Sequence, residues 1–319
     1  MNERTFFTDN LEGAYLGRYQ VIEQLGRGGM ATVYKAFDTQ LERYVAIKVL
    51  LQNQASSEQF LARFQREAKT LAMLSHPHIV KVLDYGEYES MPFLVMEYLP
   101  GGNLTTYIPR PFPLHWRKAA QMLVPIATAL HHAHLNGVIH RDVKPSNILL
   151  TSTGQPMLSD FGIAKILQFH ETIELTHSGV GIGTPEYMAP EQGTGVEVDF
   201  RVDIYSLGVV FYELITGRRP YTADTPLGVL LKQHSEPIPQ PSLYLPDLPE
   251  DVERFIFKMM SKDPDQRYRS MNEVADILDK IALDIPLTKK KRRLLSRSRS
   301  LCRSVGSAHG FLCLLVWAA

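Results

Sequence analysis

The segment VIHRDVKPSNILL, residues 138–150, decides how the whole chain is interpreted. Its apolar ends bracket a polar centre that holds His140, Arg141, Asp142, Lys144 and Asn147. Burying charge beside a core is costly unless the charged groups have partners or a function. Asp142 could accept the proton of an attacking hydroxyl, and Lys144 could neutralise charge on a transferred group. A single acid in such a loop is more often a helix cap or part of a turn, so this interpretation needs support from elsewhere in the chain.

A second acidic motif follows in LSDFGIAK, residues 158–165, where Asp160 ends an apolar run. Asn147 and Asp160 together offer hard oxygen ligands. Mg²⁺ prefers a few such ligands and completes its shell with water and substrate phosphates. The two motifs are therefore compatible with a magnesium site, with Mn²⁺ as an alternative cation, although each acid taken alone is more often a helix cap or part of a turn.

A glycine-rich stretch, LGRGGMATVYKA, covers residues 25–36. Gly26, Gly28 and Gly29 lack a Cβ, so the backbone amides can approach a phosphate closely. A plain hairpin turn explains the stretch equally well when it is taken alone. A dinucleotide-binding loop is excluded, because a strand-like TVYKAF follows the glycines where that motif needs a helix.

Lys48 lies inside the β-rich segment VAIKV. A lysine between buried strand residues is costly unless an anion meets it, and Glu67 on a predicted amphipathic helix is a candidate partner. The alternative is a surface lysine on an edge strand whose stem packs while its ammonium reaches water.

The pattern of the chain divides it into parts. Strand-like segments fill residues 18–98, interrupted by one amphipathic helix over residues 56–75, and helical periodicity dominates residues 99–285. Residues 1–17 are predicted to be an N-terminal tail, residues 286–304 a basic linker and residues 305–319 a short apolar tail. The resulting fold class is α+β, with a small β-rich domain and a larger helical one.

The formal net charge of zero conceals an asymmetry. Residues 289–303 hold eight of the 34 Lys and Arg residues and no acid, so the rest carries 26 basic against 34 acidic residues. An acidic body argues against nucleic-acid binding. Both cysteines, Cys302 and Cys313, lie in the tail, which fits a reducing compartment. The N-terminus lacks a signal-peptide pattern, so we expect the body in the cytoplasm.

These motifs occur in one order, followed by GTPEYMAPE at residues 183–191. In this combination the chain resembles the eukaryotic-type protein kinases, in their bacterial serine/threonine branch, over about residues 18–285. The resemblance implies a two-lobed kinase fold, ATP and Mg²⁺ as ligands, and protein substrates. Residues 18–98 would be the small lobe and residues 99–285 the large lobe.

The resemblance assigns ATP-binding roles residue by residue. The glycine-rich loop would cover the phosphates, Lys48 would hold them while pairing with Glu67, and the backbone after Met96 would bind the adenine edge. Ala31 stands where the family has a third glycine, and Asn103 stands where many members have an acid near the ribose. The residues assigned to ATP are Leu25, Gly26, Arg27, Gly28, Gly29, Met30, Ala31, Val33, Ala46, Lys48, Met96, Glu97, Leu99, Asn147, Leu149 and Asp160.

Further roles carried over are catalytic or structural. Asp142 would be the catalytic base, with Lys144, Lys48 and Glu67 completing the catalytic set, and Asn147 and Asp160 would be the metal ligands. The structural assignments are an apolar spine of His140, Phe161, Leu71 and Val82, a Glu191–Arg267 ion pair, and Asp203 as the anchor of the catalytic loop backbone.

Substrate type and regulation also follow from the resemblance. Lys144 and Thr184 match the serine/threonine-directed branch. Arg141 before Asp142 implies a cationic pocket that an activation-loop phosphate completes. Thr176 and Ser178 lie where related bacterial kinases are phosphorylated, so autophosphorylation at these residues is expected.

The C-terminal residues permit three interpretations. Residues 305–319 are too short for a membrane span of about 20 residues, so they are a span cut short by truncation or a shifted reading frame, a surface anchor helped by the basic run, or a disordered tail. The first two would attach the kinase to the inner face of the plasma membrane. The resemblance also allows a homodimer through the small lobe. The alternative functions are a pseudokinase binding module and a small-molecule kinase on the same fold.

Overall fold

The β-branched and aromatic residues of the N-terminal part form a six-stranded antiparallel sheet. The structure is a computed structural model that describes residues 10–28, 31–50, 58–107, 113–161, 185–193 and 198–287. The spatial order of the strands is β1-β2-β3-β4-β6-β5. In chain order they are β1 (Tyr15–Leu16), β2 (Tyr19–Arg27), β3 (Ala31–Asp38), β4 (Arg43–Leu50), β5 (Val82–Tyr88) and β6 (Met91–Glu97).

The register of this sheet brings the predicted nucleotide residues together. Val33 on β3 lies opposite Lys48 on β4, and Ala46 on β4 lies opposite Met96 on β6. Side chains two positions apart on a strand share one face, so Ala46 and Lys48 face the same side of the sheet. That side is the roof of the cleft described below.

The small lobe begins before residue 18, where the sequence interpretation placed its boundary. Leu16 is fully buried, and Leu11 and Ala14 pack against the same apolar cluster as Val21, one of the sheet's outer-face residues. Strand β1 adds Tyr15 and Leu16 to the edge of the sheet. Residues 11–16 therefore belong structurally to this lobe rather than to a tail.

One helix, α1 (Glu58–Met73), packs beside the sheet as the periodicity predicts. Phe64, Ala68, Leu71 and Leu74 recur at spacings of three and four, and all are buried. The chain after α1 then crosses to the large lobe. The Val80 N–H donates to the Leu158 carbonyl at 2.9 Å, and the Leu158 N–H donates to the His78 carbonyl at 2.8 Å.

The large lobe is mainly helical in the described ranges. Its helices are α2 (Leu104–Tyr107), α3 (Trp116–Leu135), α4 (Arg201–Thr216), α5 (Pro226–Ser235), α6 (Glu250–Met259) and α7 (Met271–Ala282). A hairpin of β7 (Ile148–Leu150) and β8 (Pro156–Leu158) faces the small lobe. Helix α4 is the centre of this lobe, because all its residues from Val202 to Thr216 are buried. Within the described ranges, every helix is too short or too polar to cross a bilayer.

The lobes are joined covalently by a connecting segment, residues 97–101, which leads from β6 towards α2. The Glu97 N–H donates to the Lys81 carbonyl at 3.0 Å, and the Gly101 N–H donates to the Leu150 carbonyl at 3.0 Å. A Cβ on Gly101 would lie 2.3 Å from the Thr151 carbonyl oxygen, so only glycine allows this close approach. The connecting segment is thus fixed at both ends. This architecture confirms the predicted two-lobed α+β fold.

Candidate active site

A cleft of about 320 Å³ lies between the two lobes. The sheet supplies its roof and β7 part of its floor, while the connecting segment closes one side. Many predicted nucleotide residues line it, namely Leu25, Gly26, Val33, Ala46, Met96, Glu97, Leu99, Leu149 and Asp160. The lining also includes Tyr98, which lies in the backbone stretch predicted to bind the adenine edge, and Asn103, at the predicted ribose position. Its remaining residues were not predicted to bind the nucleotide, namely Val80, Pro100, Gly102, Ser146 and Ser159.

Other predicted nucleotide residues do not line this cleft. Arg27, Gly28, Ala31 and Asn147 lie outside its lining, and Lys48 lines a small adjoining space of about 20 Å³ instead. Gly29 and Met30 fall outside the described residues, as do Thr176, Ser178 and Thr184 of the predicted activation loop. The phosphorylation assignments therefore stay predictions.

Asp142 is held at the large-lobe side of the cleft by its own loop. The Asn147 Nδ2 donates to the Asp142 carbonyl at 2.8 Å and to its Oδ2 at 3.2 Å. The Lys144 ammonium lies 3.0 Å from the same Oδ2. The structure thus brings together the three polar residues that the sequence singled out for chemistry. A fixed carboxylate beside a cation can accept a proton and stabilise the charge that develops.

His140 is a packing residue, as predicted. Its Nε2 lies 2.8 Å from the Ser159 carbonyl, and its Nδ1 accepts the Asp142 N–H at 3.2 Å. Because one ring nitrogen faces an acceptor and the other a donor, the neutral ring satisfies both. Burial lowers the pKa of His140, since desolvation disfavours the imidazolium. Its ring centroid lies 4.6 Å from that of Phe161, which links it to the predicted spine.

Asp203 on α4 anchors the backbone of this loop, as predicted. Its carboxylate accepts the N–H of His140 at 2.9 Å and the N–H of Arg141 at 2.8 Å. Burial opposes its ionisation, but the hydrogen bond from His134 and the nearby partial charges outweigh burial and lower the pKa of Asp203. Arg141 has a φ of 64°, a left-handed backbone conformation that residues other than glycine rarely adopt.

Two supporting residues were not found from the sequence. The His134 Nε2 lies 2.7 Å from Asp203, and the Gln192 Nε2 donates to the Arg141 carbonyl at 3.1 Å. His134 lies 69 positions before Asp203 in the sequence, so no local pattern links the two residues. No group of three or more His, Cys, Asp or Glu residues suited to a metal occurs in the described part of the chain. The remaining predicted support is present, because Arg267 binds Glu191 through two bonds of 2.5 and 2.8 Å.

Lys48 has a different partner from the one predicted. Its ammonium lies 2.9 Å from Asp160 Oδ1, whereas Glu67 pairs with the neighbouring Arg66 at 3.3 Å. The predicted Lys48–Glu67 pair is therefore not formed in this structure. A lysine ammonium is a compact charge on a flexible stem, and it pairs with whichever carboxylate lies within reach.

The residues present fit a magnesium ion of the kind predicted. The Nδ2 of Asn147 donates its hydrogen bonds to Asp142. Asn147 Oδ1 and the Asp160 carboxylate are therefore the oxygens that could coordinate the ion. Two oxygens suit an ion that takes its remaining ligands from phosphates and water. A closed cage of His and Cys would be required for structural zinc, and the described residues provide none.

Comparison with known proteins agrees with this site. A family model for the protein kinase domain matches residues 19–277. The serine/threonine-protein kinase PrkC of Bacillus subtilis is 38% identical over 290 residues, which make up 91% of this chain and 44% of PrkC. The serine/threonine-protein kinase PknA of Mycobacterium tuberculosis is 43% identical over 265 residues, covering 82% of this chain and 60% of PknA.

A solved structure shows the same architecture. The crystal structure of the Mycobacterium tuberculosis PknI kinase domain matches with a TM-score of 0.67 and 30% identity, over 85% of this chain and 98% of that domain. The chain spans less than two thirds of the curated relatives PrkC and PknA. From the family match, the cleft and the anchored catalytic loop, we conclude that this chain belongs to the protein kinase domain family.

Proposed function

We propose that this chain is a serine/threonine protein kinase that transfers the γ-phosphoryl group of ATP to hydroxyl groups of proteins. The observation that carries the proposal is the position of Asp142, which is fixed by Asn147 and paired with Lys144 beside a cleft large enough for a nucleotide. The curated relatives PrkC and PknA, both named serine/threonine-protein kinases, support the same reaction.

Each of these residues would have a separate role in phosphoryl transfer. Asp142 accepts the proton of the attacking hydroxyl as the new oxygen–phosphorus bond forms and the bond to ADP breaks. Lys144, 3.0 Å from Asp142, stabilises negative charge on the group in transfer. Val33, Ala46 and Leu149 offer apolar surfaces on which an adenine ring can pack.

Asn147 and Asp160 would hold Mg²⁺. When bound, this cation would neutralise phosphate charge. Lys48 pairs with Asp160, a residue of the cleft lining, so its ammonium would be close enough to contact phosphate oxygens instead. Glu67 would then stand as the partner that keeps Lys48 in place.

Serine/threonine specificity and activation by phosphorylation form the finer part of the proposal. Lys144 and Thr184 support transfer to Ser and Thr, and Thr176 and Ser178 are the sites at which we expect autophosphorylation. Membrane attachment through residues 286–319 stays a prediction, because the residues beyond Leu287 fall outside the described chain. A homodimer through the small lobe also stays a prediction.

The test is phosphate transfer by the purified chain with Mg²⁺ and labelled ATP, alone and with a generic basic protein, followed by mapping of the labelled residues. We expect label on Thr176 or Ser178 and on Ser or Thr of the added protein. Asp142→Asn should lower the rate roughly 100- to 10,000-fold, because the base is lost. Asp247→Asn, which changes an exposed acid on the large lobe, is the matched control.

The contrary outcome is equally specific. A chain that binds ATP but transfers no label, or an Asp142→Asn variant as active as the unmodified chain, would favour a pseudokinase binding module. Label found only on a small metabolite would favour a small-molecule kinase.

A further inference from the structure

A cluster of one cation and two aromatic rings lies at the outer edge of the cleft, away from the catalytic loop. The Lys35 ammonium is 4.8 Å from the ring centroid of Tyr44 and 5.2 Å from that of Tyr98. The two tyrosine rings are 6.5 Å apart at 62°, an edge-to-face arrangement. The cation is therefore shared by a ring on strand β4 and a ring on the connecting segment.

The register explains why Lys35 is at this edge. Val33 and Lys35 are two residues apart on β3, so they share a face, and Val33 lines the cleft. Lys35 pairs across the sheet with Ala46, another residue of the cleft lining. Lys35 thus lies on the same face of the sheet as the cleft roof, next to Val33 and Ala46, and its ammonium contacts the ring of Tyr98.

The environment keeps this lysine charged. Glu23 Oε1 on β2 accepts a hydrogen bond from Lys35 at 3.1 Å, and this bond raises the pKa of Lys35. The Lys35 side chain is 21% exposed, whereas Glu23 is 54% exposed. Partial shielding of the side chain from water strengthens the attraction between a cation and a ring face.

Tyr98 is the residue through which this cluster reaches the site. Its backbone lies between Glu97 and Leu99, and all three residues line the cleft. The backbone bonds of Glu97 and Gly101 fix the two ends of the connecting segment, and the ring of Tyr98 gives its middle a side-chain contact with the sheet.

We propose that Lys35 is a positioning residue for nucleotide binding, which holds the connecting segment against the sheet by clamping the ring of Tyr98. The inference rests on the proposed function, since it concerns the same cleft. A segment that is already held in its bound geometry loses less conformational freedom when the nucleotide binds. Lys35 touches neither the catalytic loop nor its anchor, so it acts on nucleotide affinity rather than on the chemical step.

The experiment measures binding and release of a fluorescent ADP analogue by the full chain in Mg²⁺ buffer. Lys35→Met keeps the length and apolar stem but removes the charge, and we expect Kd to rise about fivefold through faster release, as expected for two cation–π contacts. Lys35→Arg keeps a cation over the rings and should stay within about twofold of the unmodified chain. The KM for a protein substrate should not change.

A matched control uses the same type of contact elsewhere. Lys258 lies 4.2 Å from the ring centroid of Tyr268 in the large lobe, so Lys258→Met removes a comparable interaction without touching the connecting segment. We expect it to leave nucleotide affinity unchanged. Combining Lys35→Met with Tyr98→Leu should give little more loss than Tyr98→Leu alone, because both changes break the same clamp.

The outcomes separate this inference from the function beneath it. If the unmodified chain binds the analogue but Lys35→Met binds it within twofold, or if the losses of Lys35→Met and Tyr98→Leu add fully, the clamp is refuted and the kinase assignment stands. If the unmodified chain binds no nucleotide, both the proposed function and the clamp are overturned.

Discussion

The two sides of the cleft are held in different ways. On the large-lobe side, the Asp203 carboxylate accepts three hydrogen bonds of 2.7 to 2.9 Å, and it is fully buried. On the small-lobe side, Lys48 and Asp160 form a pair in which both side chains keep contact with solvent, at 19% and 29% exposure. Burial determines the hydrogen bonds of Asp203. Lys48, in contrast, can pair with more than one nearby carboxylate.

The contrast between the two sides shows how far a sequence motif predicts side-chain contacts. Glu191–Arg267 and Lys48–Glu67 were both predicted on the same resemblance, and only the first pair is formed. Arg267 is buried and bidentate, so it has no alternative to Glu191 at similar cost. Lys48 has a flexible stem and a second acid within reach, so its motif does not decide its partner.

The largest effect should come from the buried anchor. Asp203→Asn replaces one acceptor oxygen with an NH₂ group that faces an N–H or imidazole donor, which leaves buried donors unsatisfied. We expect the free energy of unfolding to fall by about 2–3 kcal/mol, measured by urea titration.

The matched control is Asp199→Asn, which alters an acid that is half exposed and pairs with Arg201. It should change the free energy of unfolding by less than about 0.5 kcal/mol. Equal losses for the two variants would show that the large-lobe side is no more rigidly held than its surface.

A smaller loss should follow from lowering the pH, at the place where the two lobes meet. His76 lies 5.4 Å from His132 of the large lobe and 5.8 Å from His78, measured between ring centroids. Burial, followed by repulsion from His132 and His78, lowers the pKa of His76. Below about pH 6.5 the unfolded chain therefore binds more protons than the folded chain. The free energy of unfolding should fall as the pH drops through this range.

The measurement is the urea midpoint between pH 7.5 and pH 5.5. His76→Asn, whose amide oxygen can still accept the His78 N–H, should give a shallower decline than the unmodified chain. Since His140 is buried with a lowered pKa as well, part of the decline should remain. Identical slopes for the two proteins would rule out His76 as a contributor.

The smallest effect should come from Glu67. Glu67 is 19% exposed, but its partner Arg66 is 74% exposed, and an ion pair with one partner in water contributes little. We expect Glu67→Gln to change the free energy of unfolding of the nucleotide-free chain by less than about 0.5 kcal/mol. A loss above about 2 kcal/mol would show that Glu67 pairs with Lys48 in solution and that the two sides of the cleft are equally fixed.

Much of the fold could be predicted, because long periodic segments carry their own signal. Helix α1 and the strands around Val33 and Lys48 follow from spacing alone. Strand β1 could not be predicted in this way, since its two residues, Tyr15 and Leu16, are too few to show a period.

The sequence predicted which residues form the site better than it predicted which of them contact one another. Asp142, Lys144 and Asn147 are close in sequence, so one loop brings them together. The bond between His134 and Asp203 joins residues 69 positions apart, and no local pattern encodes it. Likewise, the strand period places Lys35 on the roof but cannot show that it meets Tyr98.

Two of the links between the lobes are made by the backbone, and they have a mechanical consequence. One is the covalent connecting segment at residues 97–101, and the other is the pair of backbone hydrogen bonds between residues 78–80 and Leu158. A lobe attached to another at two separate backbone points is hindered from sliding or twisting, and rotation about the line through those points disturbs these two links least. Such a rotation would widen or narrow the cleft while the roof keeps its lateral alignment with the loop below.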